Sequence, residues 1–234
     1  MKKIFFYGIL FSIFFMGISA SAHQPRLVGN ETDVTVKDPE ISQAFYGTLI
    51  GSSAKYHISS PVPFRLYVSL LVPDIEGVDK DISAAISKEG TDGPYTDLSF
   101  LDGTQYEWTR YFEDFAGDYY WQGPEKTIDA GAGEYTVMVF SQDNQGKYVF
   151  VVGEKESFPL SEMIRTIGVL PALKMDFFGK PWYLAYYNLT GLFLFGTLVV
   201  IGAVIAVCIL FFRFLFRRSR EKMAQQSSKN PGAV

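Results

Sequence analysis

From residue 189 to residue 212 the chain carries no charged side chain. Wound as a helix at about 1.5 Å per residue, this stretch reaches about 36 Å, enough to cross a hydrocarbon layer about 30 Å thick with some tilt. A buried helix of a large soluble core would be equally apolar. It would not explain why Arg213, Arg217, Arg218, Arg220 and Lys222 follow at once. Basic residues just beyond a span are held on the cytoplasmic side, so this cluster predicts a cytoplasmic C-terminus and an exported upstream chain. Gly191, Gly196 and Gly202 are spaced five and six apart, which misses the four-residue spacing of tightly packed membrane helices. Cys208, near the inner end, reads as a lipid-facing or packing residue.

The N-terminus repeats the theme on a smaller scale. Lys2 and Lys3 precede an apolar run, which ends in Ser19-Ala20-Ser21-Ala22. A basic start, an apolar centre and a small-x-small close make a secretory signal, with cleavage expected after Ala22. An uncleaved signal anchor, giving two spans, is the competing layout. The chain then divides into a signal peptide (1–22), an exported β-domain (23–156), a short helix with an aromatic juxtamembrane stretch (157–188), the span (189–212) and a basic, disordered cytoplasmic tail (213–234).

The exported part contains no Cys, so its core must hold it without disulfides. Residues 23–188 carry 13 Lys and Arg against 24 Asp and Glu. Such an acidic surface argues against nucleic acid as a partner. The expected partners are the bilayer and another membrane or surface protein.

Within the domain, hydrophobic alternation with a period of two recurs in short runs bounded by Gly, Pro and Asp. The clearest run is 64–72, with Phe64, Leu66, Val68 and Leu70 on one face. Residues 44–50 and 55–59 read as a hairpin, and 134–141 with 147–152 as a second, terminal hairpin. Further strands are expected at 82–87, 106–112, 118–121 and 126–129, with turns at 88–94 and at Gln122-Gly123-Pro124. Many short strands and no long amphipathic helix indicate a mainly β, antiparallel, jelly-roll-like sandwich. After it, Leu160, Met163, Ile164 and Ile167 fall at helical spacing over 160–168, a short helix expected to cap one end of the sandwich, with a position on the membrane as the alternative, and Pro171 is expected to break or restart it. Phe177, Phe178, Trp182, Tyr183, Tyr186 and Tyr187 then lead to the span like an interfacial aromatic belt.

The phrase Asp129-Ala130-Gly131-Ala132-Gly133-Glu134-Tyr135-Thr136-Val137-Met138-Val139, followed by Gly146-Lys147-Tyr148-Val149-Phe150-Val151-Val152, resembles the closing strands of the bacterial pre-peptidase C-terminal domain family. The resemblance covers residues 129–152. It implies a small jelly-roll-like accessory or binding module without catalysis of its own. That family's Asp-x-Asp-Leu phrase is not matched: Gly117-Asp118-Tyr119-Tyr120-Trp121 places aromatics where its second Asp would stand.

Three constellations could carry chemistry. After cleavage, His23 would offer an amine and an imidazole, and His57 is the only other His. Such ligands favour copper, although a strand His next to Tyr56 and Ile58 also suits a structural role. Asp74, Glu76, Asp79 and Asp81 form an acidic loop that could hold calcium or simply be solvated. Tyr106, Trp108, Tyr111, Tyr119, Tyr120 and Trp121, interspersed with carboxylates, could form a ligand platform or a core. No nucleophile elbow, phosphate loop, HExxH or CxxC occurs. The leading expectation is therefore a membrane-anchored, non-catalytic binding or assembly module, a role open to a subunit of a membrane complex. A copper-delivery protein and a carboxylate-dependent hydrolase of surface glycans are the alternatives.

Overall fold

The computed structural model describes residues 23–90, 93–114 and 116–229. The signal segment and its cleavage point lie outside the described residues. The chain divides into two units that meet at Asn188 and Leu189 in sequence.

The first unit is mainly β, as the alternation predicts. Its strands are β1 (Gln24–Gly29), β2 (Asp33–Val36), β3 (Gln43–Ile50), β4 (Ala54–Ser60), β5 (Phe64–Pro73), β6 (Ser83–Gly90), β7 (Gly93–Leu101), β8 (Thr109–Glu113), β9 (Asp118–Ala130), β10 (Gly133–Phe140) and β11 (Gln145–Val152). They form a six-stranded sheet, β1-β3-β11-β5-β9-β8, and a five-stranded sheet, β2-β4-β10-β6-β7. Inward residues of both sheets make the central core, among them Tyr56, Ile58, Leu66, Val68, Leu70, Ile86, Val137 and Phe150. Each large apolar side chain so buried contributes about 1.5–3 kcal/mol.

Neither expected hairpin forms. β3 and β11 lie in the first sheet, while their chain neighbours β4 and β10 lie in the second. Each pair is an arch across the core. Phe45 on β3 meets Tyr56 on β4 with ring centroids 5.3 Å apart. The Tyr56 and Tyr148 hydroxyls are bonded at 2.9 Å across the gap between the sheets. The arches stack through their turns, where the Gly51 N–H donates to the Asn144 carbonyl at 2.8 Å. Gly51 and Asn144 both adopt positive φ there. Alternation specifies which side of a strand is buried, and that is satisfied equally by a neighbour in the same sheet or by one facing it. The first two strands repeat the arch, and so β1 pairs with β3 and β2 with β4 in parallel. The other pairs of these strands are antiparallel.

The turn expected at Gln122-Gly123-Pro124 is instead a bulge inside one long strand. Ser69 pairs with Glu125 and Leu71 with Gln122, so the register slips between them. A bulge is where a strand tolerates Pro124. Gly123 is required because a Cβ there would lie 2.5 Å from the Trp108 ring. Trp108 itself is in the core, its indole N–H donating to the Gly103 carbonyl at 2.8 Å. This tuck delays β8, which begins at Thr109 rather than Tyr106. The Gly- and Asp-rich turn signal at 88–94 falls where β6 gives way to its antiparallel neighbour β7; the strands extend into it as far as the Gly90–Gly93 pair, and 91 and 92 lie outside the described residues.

The outer face of the first sheet carries a third layer made of the segment after the sandwich. It comprises α1 (Leu160–Ala172), a π-helical turn (Leu173–Phe177) and a 3-10 turn (Trp182–Tyr186). Thus α1 covers a sheet face rather than one end of the sandwich, and it runs on through Pro171. Proline removes the N–H that would bond the carbonyl four residues earlier. That carbonyl, of Ile167, accepts the Tyr186 hydroxyl at 3.0 Å instead. The π turn closes at Gly179 with positive φ, and the Lys180 N–H caps the Lys174 carbonyl at 2.8 Å. Phe177 and Phe178 are buried against Tyr46 and Tyr120, and so are core rather than belt. Tyr186 is half-buried, whereas Trp182, Tyr183 and Tyr187 are exposed in a row of edge-on rings.

The second unit is a single helix, α2 (Leu189–Lys229). Over Leu189–Arg217 it is long and apolar enough to cross a membrane. The tail, expected to be disordered from residue 213, remains helical to Lys229. Arg, Glu, Lys, Met, Ala and Gln cost little to add to a helix that is already nucleated.

Candidate functional site

The hairpin β8–β9 builds an open shelf at one edge of the first sheet. Directly paired residues share a face, so Arg110 stands beside Trp121 and Phe112 beside Tyr119. Tyr111 and Tyr120, one residue along, face the other way into the third layer. The shelf is continuous with the core side of the sheet, because Val72 on β5 pairs with Trp121 and is fully buried. At the far edge the covering stops: Phe112 and Tyr119 are 42% and 41% exposed. Their rings lie 4.6 Å apart, tilted.

Asp74, just past β5, fixes the shelf. Its backbone N–H extends the ladder to the Tyr119 carbonyl at 3.0 Å. Its carboxylate accepts from the Trp121 indole N–H at 3.0 Å and from the Arg110 Nε and Nη2, each at 2.7 Å. Thus oriented, the Arg110 guanidinium lies 3.9 Å over the Tyr119 ring. The Lys80 ammonium lies 3.9 Å over the Trp121 ring. Each contact draws a cation to a ring's negative face, a gain of about 0.5–2 kcal/mol depending on desolvation.

The shelf therefore combines parts of two sequence-predicted sites and divides both. From the aromatic set it takes Tyr119 and Trp121. Trp108 goes to the core, Tyr111 and Tyr120 go to the opposite face, and Tyr106 is exposed in the loop before β8. From the acidic loop it takes Asp74. Asp81 turns instead toward the turn after β10, where burial and then the Asp79 and Asp143 charges raise its pKa. The Oδ1 atoms of Asp81 and Asn144 are buried there without a hydrogen-bond partner. Among the described residues no three His, Cys, Asp or Glu side chains are grouped to hold a metal. The four loop acids do not converge, because Asp74 is committed to Arg110 and Trp121. Arg110 and Phe112 complete the shelf; the sequence signal for them is the alternation within β8, which sets Arg110 and Phe112 on one face and Tyr111 on the other.

The two histidines are bonded apart. His23 Nδ1 contacts the Ser42 hydroxyl beside the first sheet, and burial pushes the His23 pKa down to about 4. His57 Nε2 meets Asp33 at 3.1 Å on the outer face of the second sheet. The hydrogen bond from His57 holds the Asp33 carboxyl below its ordinary range.

A buried ionic cluster ties the third layer to the hairpin that carries the shelf. Asp118, at the start of β9, is fully buried and accepts from Lys174, itself buried. The same carboxylate accepts from Lys180 at 2.9 Å. Lys174 also donates to the Ala116 carbonyl at 2.7 Å, as does the Asn188 side-chain amide at 2.7 Å. Two cations and two carbonyl bonds thus hold the β8–β9 turn. Elsewhere, a polar cleft of about 480 Å³ lies between β1, β3 and the start of α1. The Arg26–Glu162 ion pair, 2.9 Å long, sits in its wall.

No family model and no curated protein matches the chain. Among solved structures it is similar to the pre-peptidase C-terminal domain of a collagenase from Bacillus anthracis, with 14% identity, 56% of this chain and 95% of that chain covered, and a TM-score of 0.30. It is also similar to CorA, a surface-associated copper-binding protein of Methylomicrobium album BG8, with 10% identity, coverage of 54% and 83%, and a TM-score of 0.20. A β-glucosidase from Paenibacillus barengoltzii matches with 11% identity over 58% of this chain but 14% of its own, at a TM-score of 0.20. The resemblance to the pre-peptidase C-terminal domain is weak and partial, and it covers about half the chain.

Proposed function

We propose that this chain is a membrane-anchored, non-catalytic binding or assembly module whose sandwich stands on the extracytoplasmic side, and that the β8–β9 shelf is its recognition surface. The shelf carries the reading. It exposes rigid aromatic rings at the edge of a sheet, held by Asp74 from one side and by the Asp118 cluster from beneath. Rigid aromatic area is what binding surfaces use for their central contacts, since little conformational entropy is lost on association. The basic cluster after the span supports the orientation, with the signal segment exporting the domain. The partner proposed is another membrane or surface protein.

Affinity capture tests this. The full-length protein and its Phe112→Ser/Tyr119→Ser variant are solubilised from the native membranes in mild detergent. A stoichiometric partner retained by the wild type and lost by the variant is the expected result. A partner held equally by both would reject the shelf as the recognition surface.

A further inference from the structure

Resting on that reading, we infer that the shelf recognises a cationic segment of its partner protein, an Arg- or Lys-bearing stretch whose charged group takes the place of Lys80 over the Trp121 ring while its stem lies along Tyr119 and Phe112. Of the acids in the two segments that build the shelf, 74–81 and 106–121, Asp74 is paired with Arg110, Asp118 is buried beneath two lysines and Asp81 faces the turn after β10; Glu76, Asp79, Glu107, Glu113 and Asp114 remain, and the only basic side chains of the two segments are Lys80 and Arg110. Both of those cations lie on ring faces, each at 3.9 Å. The surface is therefore already shaped to hold cations over aromatics, with the chain's own side chains in the seats.

The two seats differ. Arg110 is fastened by a two-nitrogen contact to Asp74, which makes it part of the frame. Lys80 has no ion pair among the described residues and reaches Trp121 from a loop. A guanidinium or ammonium from a partner can replace it over Trp121 without breaking any salt bridge. Glu76, Asp79 and Glu107, also without a basic partner among the described residues, supply the complementary field. Phe112, exposed beside Tyr119, extends the apolar floor for the stems of incoming side chains. A neutral sugar would meet ring faces covered by two cations, and an acidic ligand would meet the carboxylates.

Titration of the full-length protein in nonionic detergent with an octa-arginine peptide tests this. Octa-glutamate, an uncharged Gly-Ser octamer and a neutral chitin oligosaccharide serve as comparators. Octa-arginine alone should bind. Its affinity should fall at least tenfold in Tyr119→Ser. It should rise several-fold in Lys80→Gln, which vacates the Trp121 seat, and stay unchanged in Lys126→Gln, which removes the same charge from another exposed strand position. Equal effects of Lys80→Gln and Lys126→Gln would reduce the attraction to net charge and overturn the inference. So would preferential binding of the oligosaccharide or of octa-glutamate, although dependence of that binding on Tyr119 would leave the shelf as a recognition surface. Absence of octa-arginine binding by both the wild type and Lys80→Gln would also overturn it.

Discussion

Asp118 shows how much one residue can decide. It is a fully buried carboxylate with two lysines upon it, and it joins the shelf hairpin to the third layer. Removing one partner of a buried ion pair leaves a charge without compensation, which typically costs about 3–5 kcal/mol. Asp118→Asn should lower the unfolding temperature of the detergent-solubilised protein accordingly. The Asp118→Leu/Lys174→Met double variant should recover most of the loss, because Lys180 is partly exposed and can turn to solvent. His23 gives a pH signature. Its folded pKa of about 4 lies below the ordinary 6.5, so the unfolded chain binds the extra proton between those values. Stability from this residue is then fully present above pH 6.5 and falls as the pH drops toward 4. His23→Gln should flatten that part of a stability-versus-pH profile, measured by thermal unfolding. Neither residue announces its role in the sequence. Asp118 stands in a segment rich in acids, and its partners Lys174 and Lys180 lie far along the chain, where only folding brings them back.

Among the elements, what could be read was the face each strand buries. Val137 and Val139 on β10 and Phe150 and Val152 on β11 point inward, as their spacing requires. What could not be read was whether consecutive strands lie side by side or face each other, since both arrangements bury the same residues. Engineered cysteines distinguish them. In a Cys208→Ser background, Ser59→Cys with Glu134→Cys should oxidise to a disulfide, because these residues are paired between β4 and β10. Phe140→Cys with Lys147→Cys, which a β10–β11 hairpin turning at residues 143 and 144 would place directly opposite each other, should not, because β10 and β11 lie in different sheets. The extension of α1 through Pro171 was equally hidden, because it depends on Tyr186, which reads as an interfacial tyrosine. Tyr186→Phe should destabilise by about 1–2 kcal/mol by orphaning the Ile167 carbonyl. Adding Pro171→Ala, which restores a backbone N–H to that carbonyl, should recover the loss in chemical denaturation. A simple loss of tyrosine packing would not be rescued.

For the whole molecule, the broad plan was legible and the site was half legible. The apolar stretch at 189–212 and its basic flank need no tertiary information. The aromatic density of 106–121 was visible, but its division was not. Trp108 in the core, Tyr111 and Tyr120 under the third layer, and Tyr119 and Trp121 on the shelf follow from register and from the Gly123 bulge. Asp74 joins the shelf only because β5 delivers it beside Trp121. The proposed role requires that the shelf meet a partner while the protein is in its membrane. Site-specific photo-crosslinking reads that contact directly, with a photoreactive phenylalanine analogue at Phe112 and, for comparison, at Lys55 on the outer face of the second sheet. A discrete crosslinked protein from position 112 and none from position 55, in native membranes, is the predicted result. Crosslinks from 55 alone, or none from 112 with the labelled protein folded and inserted, would contradict it.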